Sequence, residues 1–318
     1  MSSVKFKTDC DGGFLVLHKP SGVRSTQCVS AVRRIVGKKN KVGHAGTLDS
    51  TAQGQLIVLV GKATRFCQYV MALPKTYVGT VRLGITTSTD DGAGEILAES
   101  EVPNLSENLV RKILPSFLGV RMQRPPAVSA LKVQGQRAHT IVRQGQDVVL
   151  SPRPVYIKSI RVLSVTSDPP EIGLQVICHK GTYIRSVARD IGDFLGCGGH
   201  LRSLKRTATG PFDLAYHGIP FDPEIPPDRS DLLGALLPLT TISRAYATYQ
   251  ISSDLAERLR NGLPVPLDRA QVVSRATVPD GPLMVLGDGV LSMCRFEVVE
   301  QRGMLVPETN VFSGGEPL

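Results

Sequence analysis

The sequence predicts a mixed α/β (α+β) fold, helices packed on a central sheet, followed by a small β-rich domain. Three observations carry that expectation. Thr76–Leu83, Tyr156–Ser164 and Ile172–Cys178 alternate roughly by two, as half-buried strands do. Segments beginning near Ser25 and Thr182 place apolar residues at helical spacing. Residues 281–305 hold three short apolar runs, Pro282–Leu286, Val290–Cys294 and Phe296–Val299, set apart by turn residues.

Taken in order, Phe14–Leu17 is a short apolar strand. Ser25 is placed to cap a helix carrying Val29, Val32, Ile35 and Val36, closed by Gly37. Lys38, Lys39 and Lys41 follow; a run of this kind is by default a solvated loop, though it can also meet phosphates. A glycine-rich loop, Gly43–Gly54, then leads into the apolar segment Gln55–Val60. Asn104 with Glu107 reads as a capping box opening a helix through Leu109, Ile113 and Leu114. Thr182–Leu195 is an amphipathic helix ended by Gly196. Prolines at 220, 223, 226 and 227 mark an irregular connector, with a short helix at Asp231–Leu237. Ser253–Asn261, stopped by Gly262, opens the last part of the chain. The expected domains are therefore 1–240 and 246–318.

Composition bounds the function. Hydrophobic residues at 42% and charged residues at 20% belong to an ordinary globular protein with a substantial core. A net charge of +9 points to a polyanionic partner. No run approaches the ~18 apolar residues of a membrane span, and the first residues lack an apolar signal core. Nucleic acid is thus the expected partner, and no membrane is. The cysteines at 10, 28, 67, 178, 197 and 294 form no C-x-x-C pair and no zinc spacing, so free thiols in a reducing cytoplasm are expected. Tryptophan is absent, which leaves base stacking to Tyr and Phe.

The chemistry centres on Gly43-His44-Ala45-Gly46-Thr47-Leu48-Asp49-Ser50-Thr51-Ala52-Gln53-Gly54. One carboxylate lies among three glycines where a loop meets a buried strand, a usual seat for a catalytic group. Glycines at 43, 46 and 54 imply positive φ or close approach by a partner. By spacing alone the stretch reads more readily as a turn than as a catalytic loop.

The stretch resembles the catalytic loop of the TruB family of tRNA pseudouridine synthases, with Asp49 as its essential aspartate. Five further segments are similar to that family's motifs, in the same order and over about residues 13–210. They are Lys19-Pro-Ser-Gly22; Lys75-Thr-Tyr77 with Arg82-Leu-Gly84 and Thr89-Asp-Asp-Gly92; Arg124–Lys132; Lys180-Gly-Thr-Tyr-Ile-Arg185; and Gly196–Leu201 with Leu204-Lys-Arg206. Several motifs in order are far more specific than one.

The resemblance implies the pseudouridine synthase fold, with a mixed central sheet and a cleft, and a PUA-like RNA-binding domain at 246–318. It implies isomerisation of uridine 55 in the T-loop of tRNA, on the T-stem–loop and without a guide RNA, by a monomeric cytoplasmic enzyme. An isomerisation donates no group and moves no electrons, so no cofactor and no metal are expected. The resemblance also assigns roles. Arg185 matches the arginine that pairs with the aspartate and offsets the cost of burying a carboxylate. Tyr77 matches the residue stacked under the flipped base, and His44 one that fills space vacated in the RNA loop. Lys19 and Tyr183 support the pocket, Leu204 lines the base site, and 123–150 is an RNA-gripping insertion with Lys132, Arg137 and Arg143 for phosphates. Departures from the pattern include Ser50 for a usual proline, Gln53 for a common threonine and Val128 where an aromatic is common. The competing reading is a non-catalytic RNA-binding or chaperone protein on the same fold, or the same chemistry on another RNA. Keeping Asp49, Tyr77 and Arg185 together favours an enzyme.

Overall fold

The structure is a computed structural model describing residues 11–129, 131–133, 136, 137, 141, 150–276 and 281–313. The chain opens with β1 (Gly12–Lys19), α1 (Ser25–Val36), β2 (Val42–His44), β3 (Gln53–Gly61) and α2 (Cys67–Ala72). Next come β4 (Lys75–Leu83), β5 (Ile85–Thr87), β6 (Ile96–Glu99), α3 (Glu107–Ile113), β7 (Gly119–Gln123), β8 (Lys132–Val133) and β9 (Gln136–Arg137). These are followed by β10 (Arg153–Ser167), β11 (Pro170–Cys178), α4 (Ile184–Phe194), β12 (Gly199–Thr209), β13 (Phe212–Asp213), α5 (Leu214–His217), β14 (Gly218–Pro220) and α6 (Arg229–Gly234). The chain closes with β15 (Thr248–Gln250), α7 (Ser253–Arg260), β16 (Val265–Pro266), β17 (Gln271–Ser274), β18 (Leu283–Gly287), β19 (Val290–Val299) and β20 (Arg302–Phe312). They form two compact units: one from the described residues of 1–50, 54–73 and 208–318, the other from 51–53 and 74–207.

In the first unit β1 runs antiparallel to β3, with Phe14 opposite Leu59 and Leu17 opposite Leu56, and parallel to β14. Both faces of this pair are covered, which is why its strands read as continuous apolar runs and not as alternation. Leu15, Leu17, Leu56, Val58 and Val60 pack with Cys28, Val29, Val32 and Val36 of α1. Phe14, Val16, Ile57 and Leu59 pack on the other side with Phe66, Tyr69, Tyr246, Met284, Met293 and Val311. Each such side chain contributes about 1.5–3 kcal/mol by burial. The strands after residue 246 thus share a core with β1 and β3. They form a six-stranded sheet in the order β16-β20-β19-β18-β15-β17, which has a second core beneath α7.

The second unit is a sheet in the order β12-β4-β11-β10-β7, antiparallel where β4 meets β11 and where β10 meets β11 and β7. The expected strands at 76–83, 156–164 and 172–178 are all present, and the helix at 182–195 is α4.

Several local expectations shift. Ser25 is not a cap: it is the first residue of α1, and its hydroxyl is spent on Leu48. Ser106, not Asn104, caps α3, accepting from the Leu109 N–H at 3.2 Å. Residues 290–299 form one strand, because the irregularity at Met293/Cys294 is a bulge inside a continuous ladder. The long β20 was not expected; Pro307 and mixed polarity obscure its pattern, and that proline faces the bulge.

Candidate active site

Asp49 lies half-buried in the loop joining β2 to β3, and both of its neighbours are tied down. Ser25 Oγ accepts from the Leu48 N–H at 3.0 Å and donates to the Leu48 carbonyl at 2.8 Å. The Gly22 N–H donates to the Ser50 carbonyl at 2.7 Å. Lys19, fully buried, donates from Nζ to the carbonyls of Pro20 and Val23 at 2.8 and 2.7 Å, closing the turn that presents Gly22. The lysine-proline turn and the start of α1 therefore brace the carboxylate's backbone. Gly46 and Gly54 take φ of 103° and 104°, where a side chain would be strained. Gly43 differs from that expectation: it is an ordinary residue of β2 with open space where a Cβ would stand.

His44 ends β2, and its carbonyl accepts a weak contact from the Cys67 thiol at 3.6 Å. Burial pushes that thiol's pKa up, so it stays protonated at neutral pH. A cavity of about 470 Å³ opens here, with Arg33, Lys41, His44, Thr64 and Cys67 in its wall and no carboxylate among its lining residues. An anion suits such a wall better than a cation.

In the second unit Tyr77 sits on the buried face of β4 with Lys75, Gly79, Val81 and Leu83. A Cβ on Gly79 would stand 3.0 Å from the Ser203 carbonyl and 3.3 Å from Leu204 Cδ1. The missing side chain lets β12 approach closely and sets Leu204 over the face that Tyr77 shares. Lys75, two residues before Tyr77, has its pKa lowered to about 8, by burial first and then by the nearby Arg206 guanidinium. Arg206 is itself fully buried.

Arg185, in the first turn of α4, is buried and donates to the carbonyls of Thr89 at 3.0 Å and Val128 at 3.1 Å. Its Nη1 stands 3.7 Å from Asp91 Oδ2. Asp91 is buried as well, and accepts from Thr89 Oγ1 at 2.6 Å and from the Ala93 N–H at 3.1 Å. A buried guanidinium is tolerable only with such partners. Tyr183 is held by its backbone: Gln123 Oε1 accepts from its N–H at 2.9 Å and Gln123 Nε2 donates to its carbonyl at 3.1 Å.

Tyr77, Tyr183, Arg185 and Leu204 thus fall in one unit, and Lys19, His44 and Asp49 in the other. Lys132 begins β8, but its side chain, like all of Arg143, lies outside the described residues. Sequence reasoning missed Ser25, Asp91 and Gln123 as supports. For Asp91 a signal was present in Thr89-Asp-Asp-Gly92; for Gln123 and Ser25 none was. The five described cysteines are unbridged. Among the described residues no group of three His, Cys, Asp or Glu could hold a metal ion, and no helix is long and apolar enough to cross a membrane.

The fold is that of the pseudouridine synthases. A structure described as "Crystal Structure of a Cbf5-Nop10-Gar1 Complex" superposes with a TM-score of 0.70, covering 95% of this chain and 85% of that one, at 23% identity. The chain belongs to the TruB family of pseudouridylate synthases. Residues 33–184 match the family's N-terminal domain, and residues 185–218 match the tRNA pseudouridylate synthase B C-terminal domain. A tRNA pseudouridine synthase B of Synechococcus sp. is 39% identical over 296 residues, 90% of this chain and 97% of its own. One from Ruegeria pomeroyi is 43% identical over 253 residues, 79% of this chain and 82% of its own.

Proposed function

We propose that this protein converts uridine 55 in the T-loop of tRNA to pseudouridine, with Asp49 as the catalytic residue. The coarser activity, isomerisation of a tRNA uridine, is that of the family to which the chain belongs. The observation that carries the role of Asp49 is that it is the single carboxylate of a motif-bearing loop in which both of its neighbours are fixed by hydrogen bonds; position 55 is what the resemblance to the family implies. In the reaction the bond from C1′ to N1 breaks, the uracil turns, C5 bonds to C1′, and the C5 proton leaves as N1 gains one. A carboxylate serves as nucleophile at C1′ or as base at the sugar.

Tyr77, with Leu204 over the same strand face, fits a stacking platform for an extruded base, worth about 1–3 kcal/mol. Extrusion itself costs a few kcal/mol. Tyr183 and Lys19 support these elements, and Lys132 belongs to the RNA-gripping insertion. The cationic wall beside His44 and the charge of +9 suit a phosphate backbone. The sheet after residue 246 is read as a PUA-like RNA-binding module, and the enzyme as a cytoplasmic monomer that acts without guide RNA.

Two measurements test this. Pseudouridine mapping of RNA from cells lacking the protein should show loss at position 55 of tRNA; an unchanged position 55 refutes the target. Asp49→Asn should abolish turnover while tRNA affinity stays within roughly tenfold, since phosphate contacts dominate binding. Turnover near the parent rate would remove Asp49 from the mechanism.

A further inference from the structure

Arg185 and Arg189 stand one turn apart on α4, so their side chains share a face. Each reaches the same two segments. Arg185 takes the Thr89 carbonyl and Asp91 from residues 88–92, and the Val128 carbonyl from residues 124–128. Arg189 takes Asp90 from the first segment, Nη1 to Oδ2 at 2.6 Å, and the Arg124 carbonyl from the second, Nη2 to O at 2.8 Å. Ser186 Oγ adds a bond to the same Arg124 carbonyl at 2.8 Å. The two segments are thus stapled to one helix twice.

The Asp90 backbone is built for this contact. Its φ is 58°, in the left-handed region, and its carbonyl accepts from the Leu201 N–H of β12 at 3.0 Å. Side chains rarely adopt that φ, although Asp and Asn do so more readily than most. The next residue, Asp91, therefore turns toward Arg185 while Asp90 turns toward Arg189. Asp90 and Arg189 are both mostly buried, so water screens the pair little.

We propose that Asp90 and Arg189 form a positioning pair: they hold residues 88–92 and 124–128 in register on α4, and thereby set the cage of carbonyls and carboxylate around Arg185. The pair touches no reacting atom and acts through Arg185. This rests on the proposed tRNA reaction for its readout. Disturbing it should lower kcat and leave RNA binding nearly untouched.

The test uses the full chain with Asp90→Asn, Arg189→Gln and the double variant, measuring kcat and KM on tRNA beside a thermal unfolding transition. Asn tolerates a left-handed φ, so Asp90→Asn removes charge without forcing the backbone. Each single variant should lower kcat about tenfold with KM changed less than threefold. The double variant should lose no more than the worse single, as residues acting as one unit do. Asp190→Asn is the control: Asp190 also pairs with Arg189, at 2.8 Å, but lies on the same helix and staples nothing, so kcat should hold. Parent-like kcat in both singles overturns the proposal, as does a loss confined to KM or a double variant in which the losses multiply. If Arg189→Gln fails to unfold cooperatively, Arg189→Lys replaces it, keeping the cation but losing the fork; a parent-like kcat there also overturns it. A parent inactive on tRNA but active on another RNA refutes the tRNA reading alone, and the same comparisons then run on that RNA.

Discussion

Ser25→Ala isolates the bracing of the loop that carries Asp49 from the chemistry proposed for that carboxylate. The Ser25 hydroxyl is buried and makes two bonds to one residue, accepting from the Leu48 N–H at 3.0 Å and donating to its carbonyl at 2.8 Å. Alanine removes both at once, leaving a donor and an acceptor beside Asp49 without that partner. Each buried group so stranded costs about 1–3 kcal/mol before relaxation. With the loop partly relaxing toward water, a net loss of about 2 kcal/mol is expected. In a protein of this size that lowers Tm by roughly 3 °C. The larger effect falls on rate, because a shift of ~1 Å at a reacting group costs up to about 10² in turnover. RNA affinity should stay within about threefold, since the hydroxyl faces Leu48 and not solvent. Single-turnover release of tritium from C5 of uridine in a T-stem–loop reads the chemical step directly, and urea unfolding reads the stability. A Ser25→Ala protein that is less stable by the expected amount yet turns over at the parent rate would show that this contact does not position Asp49.

Three further outcomes follow, two from the structure and one from the proposed function. Lys75 holds its proton less tightly folded, at about 8, than unfolded, at 10.5, so unfolding takes up a proton between those values. The unfolding free energy should therefore rise with pH across that window by up to about 3 kcal/mol, and Lys75→Met should flatten the rise in a series of urea midpoints. Deleting the chain from residue 246 would strip Tyr246, Met284, Leu291, Met293 and Val311 from the core they share with Phe14, Ile57, Leu59 and Phe66. The truncated chain should lose cooperative unfolding; a sharp transition near the parent Tm would contradict that packing. A folded T-stem–loop should be converted far faster than a linear strand with the same uridine, because RNA proteins read loops and shape. Equal rates would count against recognition of the loop.

Local signals sufficed for much of this protein. Period-two alternation located β4, β10 and β11, and helical spacing located α1 and α4; the glycine-bounded loop singled out Asp49 as the proposed catalytic group. These features are legible because burial on one face of a regular element leaves a repeat along the chain. Apart from Asp91, what supports these residues left no such trace. Ser25 meets Leu48 across 23 residues, Gln123 clasps Tyr183 across 60, and Arg189 reaches Asp90 across 99. A serine, a glutamine or an arginine looks the same in sequence whether its polar atoms meet water or a distant carbonyl. The shared core of β1, β3 and the last strands was hidden for a related reason. A strand buried on both faces shows no alternation, so its apolar run says that it is covered but not by what. Only the tertiary structure, by bringing those distant segments together, decided which groups brace Asp49 and which cage Arg185.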